Sequence, residues 1–446
     1  MTRPILFCCT QSTGLINSSL AVAGELARRG VPDLWFASDE NRRVEVEKLA
    51  ARSSVQFVSL GAVNPAFAAT MWDDRTYRAV TGRSRFAAYR ARIAQSMDPE
   101  YFRDRYRRLD EAVTQIRPAL MVINSLCHHA LLVAMTRKIP FVLTAPFLPS
   151  DICQGSLPKG FPVPQSGLPR VMTRAQKLAH WWFRWRMRTL FLRPSLLGQA
   201  VKYDKVMREF GVDRSCYQPQ TAVDAAALIL CFSLLELDYP FPVPDKLKPL
   251  GTLVPPLPET DGTDPVMRWL DEHDSVVYVA FGTITRLTEA EVGAMVEVAR
   301  RLDGRHQVLW KLPADQQRFL PANLPGNLRI EDWLPSQYDV LAHPSVRVFF
   351  NHAGSNSFHE GLYFGTPLLT RPLWLDCYDH AVRAVDSGAG LTVDRPETLD
   401  PDDVHRKLLR LLEERSFRER AELFAQLQRR TGGVGTAADL VLELVR

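Results

Sequence analysis

Nothing in this 446-residue sequence is arranged as a cysteine framework. Its seven cysteines are an odd number and no two stand at C-x-x-C spacing, which excludes a zinc ribbon and a disulfide-stapled fold. Most of them, Cys8 and Cys9 among them, lie in apolar runs where a free thiol acts as a small hydrophobe. A reducing cytoplasm is the compartment expected. No run of about 18 apolar residues occurs, so no membrane-spanning helix is expected. The apolar run at 4–9 is too short for a signal peptide. Charge of one sign is also missing. Lys and Arg number 55 against 50 Asp and Glu, and a net charge of +5 gives no case for a nucleic-acid-binding chain. Lysine is scarce beside arginine, a bias that GC-rich codon usage produces without any function behind it. What remains is a globular composition, 46% hydrophobic, in a chain long enough for two or three domains.

Along the chain, short apolar runs alternate with helical patterns. Residues 4–10 read as a strand and 17–29 as a helix with Asn17 or Ser18 as N-cap and Gly30 as stop. Further strands are expected at 34–37, 119–124 and 140–145, with a helix at 125–137. Such alternation predicts an α/β domain built on a parallel sheet, whose ligands sit at the carboxyl ends of the strands. Residues 11–15, 38–41, 124–128 and 145–149 are therefore expected to line one cleft. Between 147 and 195 regularity gives way to scattered prolines, ending in HWWFRWRMRTLFLR at 180–193, which is aromatic and basic with no acid. Two readings compete there. One is an amphipathic helix that touches a membrane or a lipophilic molecule. The other is a helix that packs its Trp and Phe residues inward and leaves its arginines solvated. Arg184, Arg186 and Arg188 stand too close together for a clean helical face, which favours the second.

A proline-rich stretch, 239–258, reads as a linker, and the alternation then resumes. Strands are expected at 276–282, 306–312, 327–333, 346–352 and 367–372, and helices at 288–303, 357–365, 401–414 and 416–445. The expected organisation is a doubly wound domain over 1–240, a linker over 241–262, a second doubly wound domain over 263–425, and a C-terminal helix, 426–446, that packs back on the first.

The densest chemistry lies in FFNHAGSNSFHEGLYFGTPLLTRPLWLDCYDHA, residues 349–381. A strand ends at Asn351-His352, and the small residues Ala353-Gly354-Ser355 turn into a helix. Backbone N–H groups and the helix dipole at such a turn meet anions, typically phosphate. His352 and Ser355 add side-chain donors, and Glu360, two turns on, accepts from hydroxyls such as those of ribose. A plain capped structural turn accounts for the same pattern equally well.

From Trp333 to Asp379 the chain reads WLPSQYDVLAHP…FFNHAGSNSFHEGLYFGTPLLTRPLWLDCYD, and in order and spacing this resembles glycosyltransferase family 1 of the GT-B fold. VVYVAFGT at 276–283 is a weaker match. The resemblance implies an α/β chain of two Rossmann-like domains facing each other across a cleft. The nucleotide-sugar would lie in the C-terminal domain and the acceptor in the N-terminal one, with an inverting, metal-independent transfer. It implies that Trp333 stacks on the nucleotide base, a contact that does not discriminate UDP, dTDP or GDP sugars. Ser336 stands where a Gln is common, and Gln337 follows it, one residue later, from where it would still reach the ribose. His352, Gly354, Ser355 and Asn356 would cradle the diphosphate, Glu360 would clamp the ribose, and Thr283 would contact phosphate. Asp376 and Cys377 stand where many members have Asp-Gln on the sugar hydroxyls, which fits a deoxy- or aminosugar or else a Cys that merely packs.

The family's catalytic His and its orienting acid are both replaced, by Leu15 and Asn124. Leucine takes no proton, and Asn cannot stabilise an imidazolium as a carboxylate does. His128, Asp73, Asp74 and Asp376 are the candidate replacements. The stretch from Gly14 to Asn41 resembles, more softly, transferases that decorate polyene macrolides, which implies a lipophilic polyketide-like acceptor. Phe141, Phe147, Phe161 and Trp181 would suit it. The implied partners are a nucleotide-sugar co-substrate and that acceptor, with no resident cofactor, no metal, no nucleic acid and no stable membrane insertion. The alternative is a catalytically silent homologue that binds the nucleotide-sugar as an auxiliary.

Overall fold

The computed structural model describes residues 4–49, 53–254, 264–334 and 336–445, the side chain of Thr13 excepted. Two parallel sheets organise it. The first contains β1 (Ile5–Cys8), β2 (Leu34–Ser38), β3 (Val55–Ser59), β4 (Leu120–Asn124), β5 (Phe141–Ala145), β6 (Leu228–Cys231) and β7 (Leu247–Pro249), in the order β3-β2-β1-β4-β5-β6-β7. The second contains β8 (Val276–Ala280), β9 (Gln307–Lys311), β10 (Leu328–Glu331), β11 (Val346–Asn351), β12 (Leu368–Thr370) and β13 (Gly390–Thr392), in the order β10-β9-β8-β11-β12-β13. In each sheet the chain winds outward from a central strand and then returns to that strand's other side. The strand order reverses between β1 and β4, and again between β8 and β11. A crevice opens at the carboxyl ends of strands where the order reverses in this way. Both central strands are wholly buried, as parallel strands covered on both faces must be.

Several element limits differ from expectation for packing reasons. The first helix spans Thr13–Arg28, so Asn17 and Ser18 lie inside it rather than capping it. Ile16, Val22, Ala23, Leu26 and Ala27 are all fully buried, and this apolar stripe carries the helix through the polar residues. The single helix expected at 416–445 is two, Arg415–Arg430 and Gly433–Glu443. Gly432 and Gly433 break it with φ of 78° and 50°, a backbone that glycine adopts freely. Within the expected linker, 247–249 pair with β6 as the edge of the first sheet, while 255–263 lie outside the described residues. The aromatic-basic helix starts earlier than 180, at Arg174–Arg188, because Thr173 and Gln176 form a capping box. Only part of its aromatic content turns inward. Phe183 is buried, whereas Trp181, Trp182 and Trp185 are exposed. The helix of Gly433–Glu443 lies against the first sheet's side, with Ala437, Ala438 and Val441 fully buried in the cluster that holds Ile16, Val22 and Leu26.

The juncture between the two halves holds buried charge. The Arg383 guanidinium donates to Asp238 Oδ1 from Nε at 3.1 Å and Nη2 at 3.0 Å, and covers the Tyr239 ring at 3.5 Å. Asp238 belongs to the loop after β6, and Arg383 to the helix Cys377–Asp386 after β12. Removing one partner of such a pair leaves an uncompensated buried charge. Arg383→Ala is expected to cost about 3–5 kcal/mol, read as a lowered unfolding temperature. An unshifted transition would show that the pair does not hold the halves together.

Candidate functional site

The reversal of strand order in the second sheet brings the turn after β8 against the turn after β11. The β11 strand ends at Asn351, which is fully buried and accepts from the Ala353 N–H through Oδ1 at 2.7 Å. Ala353 is held at φ 58°, and that kink turns the chain abruptly into the helix Ser355–Tyr363. The His352 ring is pressed between two glycines. A Cβ placed on Gly282, in the turn after β8, would stand 2.6 Å from the ring's Cε1, and one on Gly354 would stand 2.2 Å from Nε2. Both glycines are needed because any side chain there would displace the imidazole. Thr283, next to Gly282, is exposed on the same turn. Burial pushes the His352 pKa down to about 4, so the ring is neutral at neutral pH. Its Nδ1 is shielded and has no hydrogen-bond partner among the described residues.

The helix Ser355–Tyr363 begins at Gly354 with no side chain capping its first turn, which leaves the leading N–H groups directed out of the helix. The Ser355 hydroxyl does not face this opening. It donates to the Pro146 carbonyl in the loop after β5, tying the second half to the first. Its neighbour His359 continues the seam, with Nε2 2.7 Å from the Ser233 hydroxyl after β6. Asn356 and Glu360 line a small pocket between the halves, opposite Asn17, Ser18 and Pro146. Burial raises the Glu360 pKa, opposed by hydrogen bonds from Gln337 and Tyr338. Gln337 Nε2 donates to Glu360 Oε2 at 2.6 Å and its Oε1 accepts from the Tyr278 hydroxyl at 3.1 Å. The Gln337 amide is thus engaged in orienting Glu360. Trp333 is 63% exposed, with Lys311 Nζ 4.0 Å from its ring centroid, so one face remains open for stacking.

Beyond β12 the turn reaches Asp376. Burial, with the charge of Asp379, raises its pKa to about 7. His380 Nδ1 lies 3.6 Å from Asp376 Oδ2 and 3.1 Å from the Ala353 carbonyl, which connects this carboxyl to the His352 turn. Cys377 does not share the site. It is fully buried among Ala353, Ala381 and Trp374, and its thiol points into this packing. The Cys expected at the sugar end is therefore a small core residue.

Two acids that the sequence did not single out meet here. Asp379 accepts from the backbone N–H groups of Gln165 and Gly167, the latter at 2.8 Å, and fastens the irregular loop of the first half over the second. Both carboxylate oxygens of Asp151 are shielded and lack hydrogen-bond partners among the described residues. Burial and then the charges of Asp379, Asp376 and Asp238 raise its pKa well above the usual carboxylate range. Asp151 lies in no motif, and Asp379, although it closes the 333–379 stretch, takes its role from segments more than 200 positions away.

The candidates in the first half are dispersed. Leu15 is half-buried on the first helix, against the core. Asn124 is fully buried at the end of β4, its Oδ1 accepting from Leu126 N–H at 3.0 Å. His128 opens the helix His128–Arg137, and its ring neighbours are Phe102 at 6.0 Å and Tyr203 at 6.3 Å, both on helices of the first half. Asp73 caps the helix Asp74–Thr81 and Asp74 pairs with Arg286 at 2.8 Å, so both are engaged in structure. Phe141 and Phe161 are core residues, and Trp181 stands on the outer surface, so this set does not form one apolar wall.

The model of the UDP-glucoronosyl and UDP-glucosyl transferase family matches residues 103–430. Over 237 residues the chain is 27% identical to the 2-hydroxyacylsphingosine 1-beta-galactosyltransferase of Rattus norvegicus, a match covering 51% of this chain and 41% of that protein. It is 30% identical over 185 residues to UDP-glucuronosyltransferase 1-2 of Mus musculus, covering 41% of this chain and 33% of that one. The chain thus spans well under half the length of these curated relatives. Among solved structures, the glycotransferase of kitacinnamycin superposes with a TM-score of 0.74 at 19% identity, covering 100% of both chains. The calicheamicin glycosyltransferase superposes with 0.66 at 18% identity, covering 100% of this chain and 98% of that one. At such identities the likeness is one of fold, two Rossmann-like domains in the GT-B arrangement. No helix of the described residues is long and apolar enough to cross a membrane. The burial of the His352 ring is expected to give a titration midpoint near pH 4 by NMR, and a midpoint above about 6, the ordinary value for an exposed His, would contradict the packing described.

Proposed function

Because the chain belongs to the UDP-glucoronosyl and UDP-glucosyl transferase family, we propose that it moves a sugar from a nucleoside diphosphate sugar to an acceptor hydroxyl, with inversion and without a metal ion. The observation that carries this reading is the uncapped start of Ser355–Tyr363 beside the half-buried, neutral His352 ring. Leading N–H groups and an imidazole N–H make a neutral donor set for a diphosphate, with the helix dipole adding to it. Those same donors would stabilise the charge that gathers on the leaving diphosphate. In this reading Thr283 contacts phosphate from the turn after β8, and Gly354 and Asn356 contribute to the cradle. Ser355 contributes through its backbone, since its hydroxyl is engaged with Pro146. Glu360, oriented by Gln337, receives the ribose hydroxyls, and Trp333 stacks on a base of UDP, dTDP or GDP.

Inverting transfer also needs a group that takes the acceptor's proton. Leu15 and Asn124 cannot, and the ring neighbours of His128 lie among helices of the first half. Asp376 is the better candidate, since a carboxyl with a pKa near 7 suits proton transfer at neutral pH. The acceptor is a lipophilic small molecule with a reactive hydroxyl, of the macrolide or polyketide kind, approaching from the first domain. The replaced dyad favours a second reading, a silent nucleotide-sugar-binding homologue. Turnover separates the two. Release of free nucleoside diphosphate with acceptor present supports transfer, and calorimetric donor binding without release under any donor–acceptor pair supports the auxiliary.

His352→Ala is expected to weaken nucleoside diphosphate binding by about 1.5–3 kcal/mol in calorimetric titration with UDP, dTDP and GDP. Unchanged affinity would remove His352 from the cradle. For an active enzyme, kcat/KM is expected to fall as pH drops through about 7, where the Asp376 carboxylate takes a proton. Asp376→Asn is expected to lower kcat by about 10²–10⁴-fold and to abolish that acid limb. A variant that raises KM alone and keeps the limb would assign Asp376 to sugar binding.

A further inference from the structure

The helix Arg174–Arg188 presents three faces of different character. One, carrying His180, Phe183 and Met187, is turned inward to a satellite cluster with Phe86, Leu190 and Leu196. A second carries Leu178, Trp181, Trp182 and Trp185, at spacing i, i+3, i+4 and i+7, and it points to solvent. Leu178 is 67% exposed, and the three tryptophans 58%, 43% and 48%. They form a continuous aromatic surface, with Trp181–Trp182 and Trp182–Trp185 stacked at 5.9 Å and 5.0 Å between ring centroids. Phe191 and Leu192, just past the end of the helix, are exposed as well. A core helix at this spacing would bury such a stripe, because an exposed apolar ridge is unfavourable in water.

The third character is charge. Lys177, Arg184 and Arg188 form one flank of the stripe, at i, i+7 and i+11, and Arg186 lies on the other, 4.9 Å over the Trp182 ring. The arginines that look badly spaced along the sequence are thus divided between two flanks of one ridge. No Asp or Glu occurs between Asp151 and Asp204, a stretch that carries nine basic residues. That local excess is larger than the net charge of the whole chain, +5. A protein partner of mixed surface charge would not require such complete exclusion of acids. A surface uniformly negative and apolar just beneath would.

We propose that this ridge is a docking face for an anionic lipid bilayer. The tryptophan rings enter the headgroup–acyl boundary, where an amphipathic ring sits favourably, and the flanking cations meet lipid phosphates. The helix lies in the interface plane without crossing it. The contact is reversible, and high salt weakens it because the basic flanks contribute by screened attraction.

The full chain, mixed with phosphatidylcholine vesicles containing phosphatidylglycerol, is expected to co-sediment. Its tryptophan emission should shift to the blue and be quenched by brominated acyl chains. Arg184→Gln with Arg188→Gln is expected to lower the partition coefficient about fivefold for each charge removed. The triple change of Trp181, Trp182 and Trp185 to Ser is expected to lower it about tenfold or more, and these exposed positions leave the core intact. Three results would overturn the proposal: no co-sedimentation of the unaltered chain at low salt, equal partitioning into vesicles of phosphatidylcholine alone, or a self-associated state that the tryptophan changes dissolve while vesicles are ignored. Donor binding is read separately, so failure here leaves the transferase reading standing.

Discussion

The rest of the site depends on one close approach, the His352 imidazole between Gly282 and Gly354. Each glycine lies on a different strand's exit, one after β8 and one after β11, and these strands are neighbours only because the order of the second sheet reverses there. The ring is therefore a gauge of the whole sheet, since a shift of either strand changes its cage. Burial keeps it neutral, so the turn offers donors without a formal cation. A diphosphate would meet dipoles fixed before it arrives, which is electrostatic preorganisation and not charge pairing. Donors of this kind stabilise developing charge without holding the released product as tightly as a buried lysine would.

The juncture of the halves follows an opposite principle. Asp238, Asp379, Asp376 and Asp151 crowd into one region with Arg383 as the cation whose charge opposes Asp151 and Asp379 there. Asp238 takes that guanidinium, and Asp379 takes two backbone N–H groups of the overlying loop. Asp151 has no hydrogen-bond partner among the described residues, and Asp376 has His380 at 3.6 Å. Burial raises the pKa of both, and it raises that of Asp379 to about 6. Ser355 adds a further link of the same kind, since its hydroxyl serves the seam with Pro146 while its backbone serves the helix start.

How much of this could be read in advance varied with the range of the interaction. The strand–turn–helix at Asn351–Ser355 is local, and its small residues followed by a helix are visible in the sequence. So were both central strands, because a parallel strand covered on two faces is an unbroken apolar run. The start of the first helix was not. Asn17 and Ser18 are good N-caps, but the buried stripe through Ile16 overrides their preference. The sequence leaves Cys377 between a sugar contact and a packed thiol, because position along a motif does not reveal which way a first-turn side chain points. Asp151 is unmarked in the sequence and Asp379 stands in the 333–379 stretch without a role, since the meaning of both comes from partners contributed by the opposite half. The tryptophan ridge was read inward because close-set arginines obscure a stripe whose spacing is helical once the helix start at Arg174 is fixed.

That ridge is also mechanically near the chemistry. Its inward face rests on Phe86, 6.0 Å from Phe183 between ring centroids, and Phe86 lies in the helix Arg85–Ser96. Arg85, the preceding residue, lies 3.5 Å from the Tyr378 ring centroid, and Tyr378 is two residues from Asp376. A single helix therefore connects the exposed tryptophans to the turn that carries the raised carboxyl. An acceptor dissolved in a bilayer is concentrated at its surface and depleted from water, so a transferase for such a compound gains by resting there. The donor, in contrast, is a charged, water-soluble molecule and needs its cradle open to solvent. In that reading the two requirements would fall on different parts of the molecule, with basic charge gathered on an outer helix of the first half and the neutral donor turn on the second. The same division explains why the chain's overall charge stays small while its distribution is strongly uneven.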